Sequence, residues 1–370
     1  MRLLRIKAIT KKELIHIWRD PLSLAIAFLM PVMQLFIYGY AITFDVNNIT
    51  TVVYDQDKSR WSRELIGEFG ASEYFTLTAF LENDAEIDEY LDRGHAQVAI
   101  LIPPDFSERL KTGKDVQVGI FLDGSDSQTA TIAEGYITAI AQDFSQRVRG
   151  IRRTPLIEAR TRVWYNPELK SRNFIIPGLI AVIMAVLVAL LTSLTIAREW
   201  ERGTMEQLIS TPVKTPELII GKLIPYFLIG FIDLLISIAM GVWLFDVPLH
   251  GSVWLLIGLS SIFLFGGVCQ GILLSILAKD SQAIASQMAI LSTFLPAFLL
   301  SGFVYAISNM PRVLQVLTYI VPARYFVTIL KGIFMKGIGI PLLLGDSLLL
   351  VLFGIGIFLI ANVRFHKRIE

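Results

Sequence analysis

The chain has 370 residues, 54% of them hydrophobic, and a mean hydropathy of +0.60. This apolar content exceeds what the core of a soluble globular domain needs, so it predicts an α-helical polytopic membrane protein. A single cysteine, Cys269, and four scattered histidines exclude a disulfide framework and a Cys/His metal site within the chain. The net charge of +1 predicts no partner by itself, because the charges are unevenly distributed along the sequence.

Residues 1–20 are predicted to form an interfacial amphipathic helix on the cytoplasmic side. Leucine, isoleucine and tryptophan side chains share one face of the helical wheel, and Trp18 lies among them. Arg5, Lys12 and Arg19 lie on the opposite face, as is typical of a basic helix at a membrane surface. The alternative interpretation is a plain cytoplasmic tail whose positive charges only set the topology.

Six apolar segments are each long enough to cross about 30 Å of hydrocarbon as a helix. The predicted transmembrane helices are residues 22–43, 174–196, 223–245, 253–277, 284–307 and 342–361. The first segment is long enough to remain as an anchor, so we expect no cleavable signal peptide. Basic residues concentrate before the first span, in the loop at 197–222 and in the tail at 362–370, which predicts that both termini are cytoplasmic.

Residues 45–172 differ in character and are predicted to form an extracytoplasmic α/β domain between the first two spans. The predicted strands are 51–54, 97–102 and 116–122, and the predicted helices are 84–91 and 129–149. The domain carries 15 basic and 21 acidic residues, a net charge of about −6, which excludes a nucleic-acid platform. A second external stretch, 308–341, is apolar but broken by prolines and glycines, which favours two short re-entrant helices.

The loop at 197–222 is polar, although it joins two apolar spans. Thr204 and Gln207 have the spacing of a capping box, and Gly203 permits the turn before them. These residues predict a helix of about two turns that begins near Met205 and ends before Pro212. Because so short a helix is unstable alone in water, we expect the membrane surface or a partner protein to hold it.

Catalytic and nucleotide-binding motifs are missing from the sequence. There is no phosphate-binding loop of the G-x-x-x-x-G-K-[ST] type, no H-E-x-x-H and no G-x-S-x-G. We therefore expect no enzymatic activity, no metal site and no bound cofactor in this chain. Asp233 is an ionisable residue roughly midway along the third span, and it is either a functional acid or a structural hydrogen-bonding group. Gly267 and Gly271 predict close helix packing, either within one subunit or between two copies.

Four stretches resemble the ABC-2 type permeases of bacterial ATP-driven exporters, in particular the half-size drug-export permeases with a long first external domain. The stretches are Val163-Trp-Tyr-Asn-Pro167, Ala197-Arg-Glu-Trp-Glu-Arg-Gly-Thr-Met-Glu206, Leu300-Ser-Gly-Phe303 and Tyr319-Ile-Val-Pro-Ala-Arg-Tyr-Phe326. The order of the predicted elements is similar over essentially the whole chain. The resemblance implies the six-helix ABC-2, or type V exporter, fold in a bacterial inner membrane.

In such permeases the loop between the second and third spans carries a coupling helix that docks on a separate ATP-binding subunit, and the N-terminal interfacial helix contacts the same subunit. By this resemblance, transmission of ATP-driven closure falls to six residues of this chain: Arg198, Glu199, Glu201, Arg202, Thr204 and Glu206. The ATP and magnesium would be bound by the partner subunit.

The resemblance also implies a second permease subunit, identical or paralogous, in contact mainly through the second and fifth spans. The expected cargo is amphipathic or hydrophobic, such as drug-like molecules or lipids, and the sequence does not choose among drugs, lipids and peptides. Membrane lipids are further expected partners, and the external domain could dock a periplasmic adaptor leading to an outer-membrane channel. Nucleic acid is not an expected partner.

Two alternatives belong to other classes of protein. The first is a membrane-anchored sensor or assembly factor whose external domain binds a ligand, which would need no ATP-binding partner. The second is an ion-coupled secondary transporter built around Asp233. The two halves of the chain show no inverted repeat, and one acid is thin support for such a mechanism.

Overall fold

The computed structural model divides the chain into two units with separate hydrophobic cores. The helical unit comprises Met1–Thr43 and Arg162–Glu370, and the α/β unit comprises Phe44–Thr161. The structure describes residues 3–42, 48–125, 127–148, 165–166, 170–278 and 281–365. Three residues of the motif before the second predicted span, Val163, Trp164 and Pro167, lie outside the described residues, as does most of the predicted tail at 362–370.

The helical unit begins with α1, Leu3–Trp18, and α2, Ala25–Ala41, with a short helix at Pro21–Leu24 between them. Pro21 lacks a backbone donor and so stands at the start of the short helix. Pro31 lies inside α2, at the point where a π-helical turn passes into an α-helix. α2 occupies the first predicted span and is shorter than the later apolar helices.

The α/β unit alternates strands and helices, as the sequence predicts for a compact α/β domain. Its elements are β1 Ile49–Asp55, α3 Arg60–Ala71, β2 Phe75–Phe80, α4 Ala85–Asp92, β3 Val98–Ile102, α5 Phe106–Lys111, β4 Gly119–Leu122 and α6 Ser127–Val148. The predicted strands omit β2, whose alternating threonines and apolar residues bury only Phe75 fully. They also give β4 a start three residues too early.

The four strands of the α/β unit form one sheet in the order β2-β1-β3-β4. β1 runs parallel to β2 and β3, and β4 is antiparallel to β3. Alternate residues of β1 point to opposite faces, so Val53 packs with α3, α5 and α6 while Val52 packs with α4. Helices therefore cover both faces of the sheet, which explains why β3 is a continuous apolar run and why neither β1 nor β3 has an exposed residue.

The rest of the helical unit consists of five long apolar helices and three shorter ones, among the residues that the structure describes. They are α7 Ser171–Glu201, α8 Thr204–Ile209, α9 Thr215–Leu244, α10 Val253–Leu277, α11 Gln282–Leu300, α12 Arg312–Ile320, α13 Pro322–Lys336 and α14 Ile340–Arg364. Five of the described helices, α7, α9, α10, α11 and α14, are long and apolar enough to cross a membrane. α12 and α13 meet at an angle of 88°, in the stretch where the sequence predicts two re-entrant helices.

α7 is the central helix of the helical unit. Its most apolar stretch is 83% buried, against 22% for α11 and 17% for α14. α7 packs against α2, α9, α10, α11 and α13, so residues from the whole length of the unit cover it. Pro177 lies inside α7 and Phe303 packs directly on the neighbouring Gly178, where a Cβ atom would come within 2.4 Å of the phenylalanine ring. The Leu300–Phe303 motif thus closes over the start of α7.

Candidate functional site

α1 packs lengthwise on the start of α9 because the two helices come unusually close there. A Cβ atom on Gly221 would lie 2.8 Å from the Cβ and Cγ2 atoms of Ile9, so only glycine fits. The Thr10 hydroxyl donates a hydrogen bond to the Gly221 carbonyl at 3.1 Å. Arg5 lies 3.4 Å from a carboxylate oxygen of Glu217 and also donates to the Pro212 carbonyl. The N-terminal helix is therefore fixed to α9 at several points.

A buried ion-paired cluster lies beneath this contact. The Lys222 side chain is fully buried, and its Nζ atom lies 3.0 Å from one carboxylate oxygen of Glu13 and 3.0 Å from one of Glu199. Lys12 donates to the other Glu199 oxygen and lies 3.8 Å from Glu13. Glu13, Glu199 and Lys222 are buried, whereas the Lys12 side chain is 50% exposed and closes the cluster at the surface. Two lysines thus face two glutamates, which balances the charge of groups that would be costly to bury alone. We call these four residues the buried ion cluster.

Arg198 extends the connections to two further elements. Its Nη1 atom lies 3.2 Å from a carboxylate oxygen of Asp20 and 3.2 Å from Nε2 of His16. Its Nε atom donates to the Gln282 side chain at 3.2 Å, at the start of α11. Partial burial, and then the positive charge of Arg198, lower the pKa of His16 below its ordinary value, so His16 accepts from Arg198 as a neutral imidazole.

The end of α7 turns into α8 through Gly203, whose φ of 69° is a left-handed conformation that glycine adopts without strain. Glu201 accepts hydrogen bonds from the backbone and the side chain of Gln282, at 3.2 and 2.7 Å. The Thr204 hydroxyl donates to the Glu199 carbonyl at 3.3 Å. The predicted capping box is therefore wrong, because Gly203 occupies the N-cap position and the Thr204 hydroxyl bonds back to α7.

The predicted coupling residues and interfacial residues fall into two groups. Side chains that join elements of the helical unit to one another are Arg5, Lys12, Arg198, Glu199, Glu201 and Thr204. Exposed side chains are Trp18, Arg19, Arg202 and Glu206. A cavity of about 390 Å³ lies between α1, the end of α7 and α8, and Arg202 and Thr204 contribute to its lining.

Sequence reasoning missed the residues at the centre of the site, Glu13, Lys222 and Glu217. The sequence contained one signal for Glu13. It precedes the apolar Leu14 and Ile15 and stands between Ile9 and Ile17, and the structure buries it with these two isoleucines. Lys222 stands in the sequence as one topology charge among several. Its partner Glu13 is 209 residues away along the chain, so no local pattern joins them.

Two predictions concern residues within the spans, namely Asp233 and the glycine pair Gly267 and Gly271. Asp233 is 1% exposed, and neither carboxylate oxygen has a hydrogen-bond partner among the described residues. A Cβ atom on Gly271 would lie 1.8 Å from Oγ1 of Thr192 and 2.6 Å from the Ala189 carbonyl. The glycine pair of α10 therefore packs within one subunit, against α7.

These features define a class of protein: a polytopic helical membrane protein whose N-terminal helix is joined by buried ion pairs to two long apolar helices, α7 and α9. The family model described as "ABC-2 family transporter protein" matches residues 22–363. The chain belongs to the ABC-2 transporter family.

Similarity to individual relatives extends over most of the chain. The Escherichia coli (strain K12) protein YbhS, named "Probable multidrug ABC transporter permease", is 37% identical over 94% of this chain and 93% of its own length. YbhR of the same strain, with the same descriptive name, is 34% identical over 90% of each chain. The "Linearmycin resistance permease protein" LnrN of Bacillus subtilis (strain 168) is 21% identical over 94% of this chain and 96% of its own.

Proposed function

We propose that this chain is the permease subunit of an ATP-driven exporter in a bacterial inner membrane, and that a separate subunit binds and hydrolyses the ATP. The names of YbhS and YbhR, which describe multidrug ABC transporter permeases, support this class of function. The buried ion cluster is the observation in this chain that carries the proposal. It makes α1, α7 and α9 move as one body at the end where α8 lies exposed.

The proposed mechanism requires α8 to transmit force and to remain reachable by a partner. Met205 anchors α8 with no exposed surface, while Glu206 on the same helix is exposed. Hydrogen bonds from Thr204 and from Gln282 connect the ends of α8 and α7 to the rest of the unit. A push on α8 by a closing ATP-binding subunit would therefore move α7, the central helix, directly.

We propose six membrane-spanning helices with both termini in the cytoplasm. In this topology α2, α7, α9, α10, α11 and α14 span the membrane. The α/β unit and the bent pair formed by α12 and α13 then lie outside the cytoplasm. The positive-inside distribution of lysine and arginine supports this orientation, since 14 of the 21 basic residues outside the α/β unit lie in segments that this topology sets in the cytoplasm.

An amphipathic or hydrophobic substrate fits an apolar cavity of about 300 Å³ between α7, α10, α11, α13 and α14. Phe263 and Ile357 contribute to its apolar lining. Gln270 is a polar residue of the lining. Its side-chain amide donates to the Thr293 hydroxyl at 3.2 Å and so joins α10 to α11. We propose drug-like molecules or lipids as the substrate class, because the lining offers apolar contact with few hydrogen-bonding groups.

A second permease subunit, identical or paralogous, would complete the pathway. The expectation of a contact mainly through the second and fifth spans needs revision, because α7 is already covered by its own chain. α11 leaves an apolar stripe of Leu291, Leu295 and Leu299, which are 63, 45 and 42% exposed. We propose that α11 contributes more than α7 to the contact. The adaptor and outer-membrane channel stay expectations from the family resemblance.

The proposal is tested by co-purification with the ATP-binding protein encoded beside the gene, followed by ATPase assays in lipid nanodiscs. Glu206→Arg reverses an exposed charge in the first turn of α8. Glu108→Arg is the matched control, because Glu108 is an exposed acid in the first turn of the equally short α5. We expect Glu206→Arg to weaken capture about tenfold, which corresponds to about 1.4 kcal/mol, and Glu108→Arg to leave it unchanged.

The competing sensor hypothesis gives the opposite result in the same experiment. A sensor needs no ATP-binding subunit, so a well-folded wild-type chain would capture none. Capture that Glu206→Arg leaves intact would place the docking surface elsewhere and remove α8 from the mechanism.

A further inference from the structure

A second polar cavity lies at the opposite end of α7 from the buried ion cluster. Its volume is about 580 Å³. Three segments of the helical unit form its walls: the residues around the start of α7, the connection between α9 and α10, and the end of α13. Neither the coupling mechanism nor the proposed transport pathway uses this cavity.

Hydrogen bonds hold all three walls in place. Asn173, which is buried, donates from its side chain to the Asn166 side chain at 2.9 Å, and Asn166 donates to the Lys170 carbonyl at 3.0 Å. His250 donates from its backbone to the Phe334 carbonyl at 3.1 Å, and its Nδ1 atom lies 3.0 Å from the same oxygen. The cavity is therefore formed before any ligand arrives, which lowers the entropic cost of binding.

Backbone strain is concentrated at this cavity. Tyr165 has a φ of 70° and Asp246 a φ of 53°, and both contribute to the lining. They are two of the four non-glycine residues with positive φ in the described part of the chain. A non-glycine residue with positive φ is uncommon, and such residues cluster at binding sites where the surrounding structure over-determines them. Tyr165 and Asn166 also belong to the Val163–Pro167 motif, to which no role is yet attached.

The charges of the lining favour an anion. Lys170 and Lys336 carry two positive charges and Asp246 carries one negative charge, so these three side chains have a net charge of +1. Lys170 is also the N-cap residue of α7, a helix of 31 residues whose N-terminal end carries a positive partial charge. The Lys336 ammonium lies 5.8 Å from the centroid of the Tyr165 ring, so the two meet across the cavity.

We propose that this cavity binds a phosphate group, as carried by the headgroup of an anionic phospholipid. A volume of about 580 Å³ accommodates such a headgroup with its glycerol, and the net charge of two lysines and Asp246 matches the single negative charge of a phosphodiester. The opening lies at the helix ends that the proposed topology sets in the outer leaflet, where headgroups are present. The site goes beyond the proposed transport function, because its occupancy requires no ATP-binding subunit.

The test counts bound lipid by native mass spectrometry on the full-length protein in detergent, with phosphatidylglycerol as probe and zwitterionic phosphatidylcholine as comparison. We expect Lys170→Glu with Lys336→Glu to weaken phosphatidylglycerol binding at least about tenfold and to leave phosphatidylcholine unaffected. Lys111→Glu with Lys114→Glu is the matched control, because it makes the same charge change at exposed lysines of the α/β unit. Equal phosphatidylglycerol binding by wild type and the Lys170/Lys336 variant would overturn the proposal.

A variant that changes binding in the other direction guards against a loss caused by misfolding. Asp246→Asn removes the single carboxylate of the lining, and asparagine tolerates positive φ. We expect this variant to bind phosphatidylglycerol more tightly, and weaker binding would contradict the charge argument.

Inorganic phosphate as a competitor identifies the source of the ligand. Displacement of phosphatidylglycerol by millimolar phosphate would show that the site takes a soluble phosphate compound. Retention of the lipid under the same conditions would show that a phospholipid is the ligand.

Discussion

At the scale of single residues, Lys222 is the central residue of the buried ion cluster, because it neutralises the charge of two buried carboxylates, those of Glu13 and Glu199. Lys222→Met leaves Glu13 and Glu199 buried, with Lys12 as their remaining ion-pair partner in the described part of the chain. Loss of one partner from a buried pair costs about 3–5 kcal/mol. We therefore expect a clear fall in the thermal unfolding temperature of the purified protein.

The control for this prediction is Lys214→Met, because Lys214 is exposed and close to Lys222 in sequence. Adding Glu199→Gln to Lys222→Met removes one of the stranded charges and should recover part of the lost stability. An unchanged unfolding temperature for Lys222→Met would show that water reaches the cluster and that its ion pairs are weak.

Asp233 provides the second prediction at this scale. Its carboxylate is buried without a hydrogen-bond partner among the described residues, so its neutral replacement removes a cost of burial. We expect Asp233→Asn to keep the ATPase activity of the reconstituted complex and to unfold at the same or a higher temperature. Asp346→Asn, at a half-buried acid of α14, is the control for loss of one negative charge.

The ion-coupled alternative makes a different prediction for the same variant. A transporter built around Asp233 would lose transport in Asp233→Asn, while ATP depletion at a clamped ion gradient would leave wild-type transport intact. Those two results together would show that an ion gradient, and not ATP hydrolysis, drives transport.

At the scale of elements, the contact between α1 and α9 joins the N-terminal helix to the rest of the helical unit. Gly221→Ala introduces a Cβ atom 2.8 Å from the Cβ of Ile9, which no rotation of the isoleucine side chain relieves. Overpacking of this kind costs about 1–3 kcal/mol. We expect α1 to detach more often, so that trypsin cleaves at Lys7 and Lys11 about tenfold faster.

Gly258→Ala is the matched control for the helix contact. Gly258 also lies inside a long helix, α10, but a Cβ atom there meets nothing within 4 Å. It should leave the cleavage rate unchanged and add a little helix stability. Equal cleavage rates for Gly221→Ala and Gly258→Ala would show that α1 is held by its ion pairs and not by close packing.

At the scale of the whole molecule, the chain consists of two separately packed units, and we expect the helical unit alone to bind the ATP-binding subunit. The α/β unit has cores on both faces of its sheet, and the core of the helical unit contains residues of the helical unit only. We expect replacement of residues 48–161 by a flexible Gly/Ser linker to leave capture of the ATP-binding subunit intact. The measurement is co-purification, with Glu206→Arg in the same shortened chain as the negative control.

The shortened chain would contradict this division if it folded but failed to capture the ATP-binding subunit. That result would mean that the α/β unit stabilises the conformation that the partner recognises.

The sequence predicted the apolar helices and the α/β alternation because both depend on local properties. A helix that crosses hydrocarbon needs about 20 apolar residues in a row, and the long helices α7, α9, α10, α11 and α14 all lie at predicted spans. β2 was missed because a half-polar run such as Phe75–Phe80 gains its strand structure by pairing with β1, which lies 20 or more residues earlier. Boundaries that depend on a cap, as at Gly203, also differ from the prediction.

Which charges pair was decided by the tertiary structure alone. The sequence by itself determined that Arg5, Lys12, Arg198 and Glu199 are charged residues beside apolar segments, and family resemblance attached roles to them. Only the fold brought Glu13 to Lys222 across 209 residues and placed Tyr165 and Asp246 on one cavity. The physical reason is that a buried charge needs a partner of opposite charge, and which charges are buried together is decided only when the helices pack.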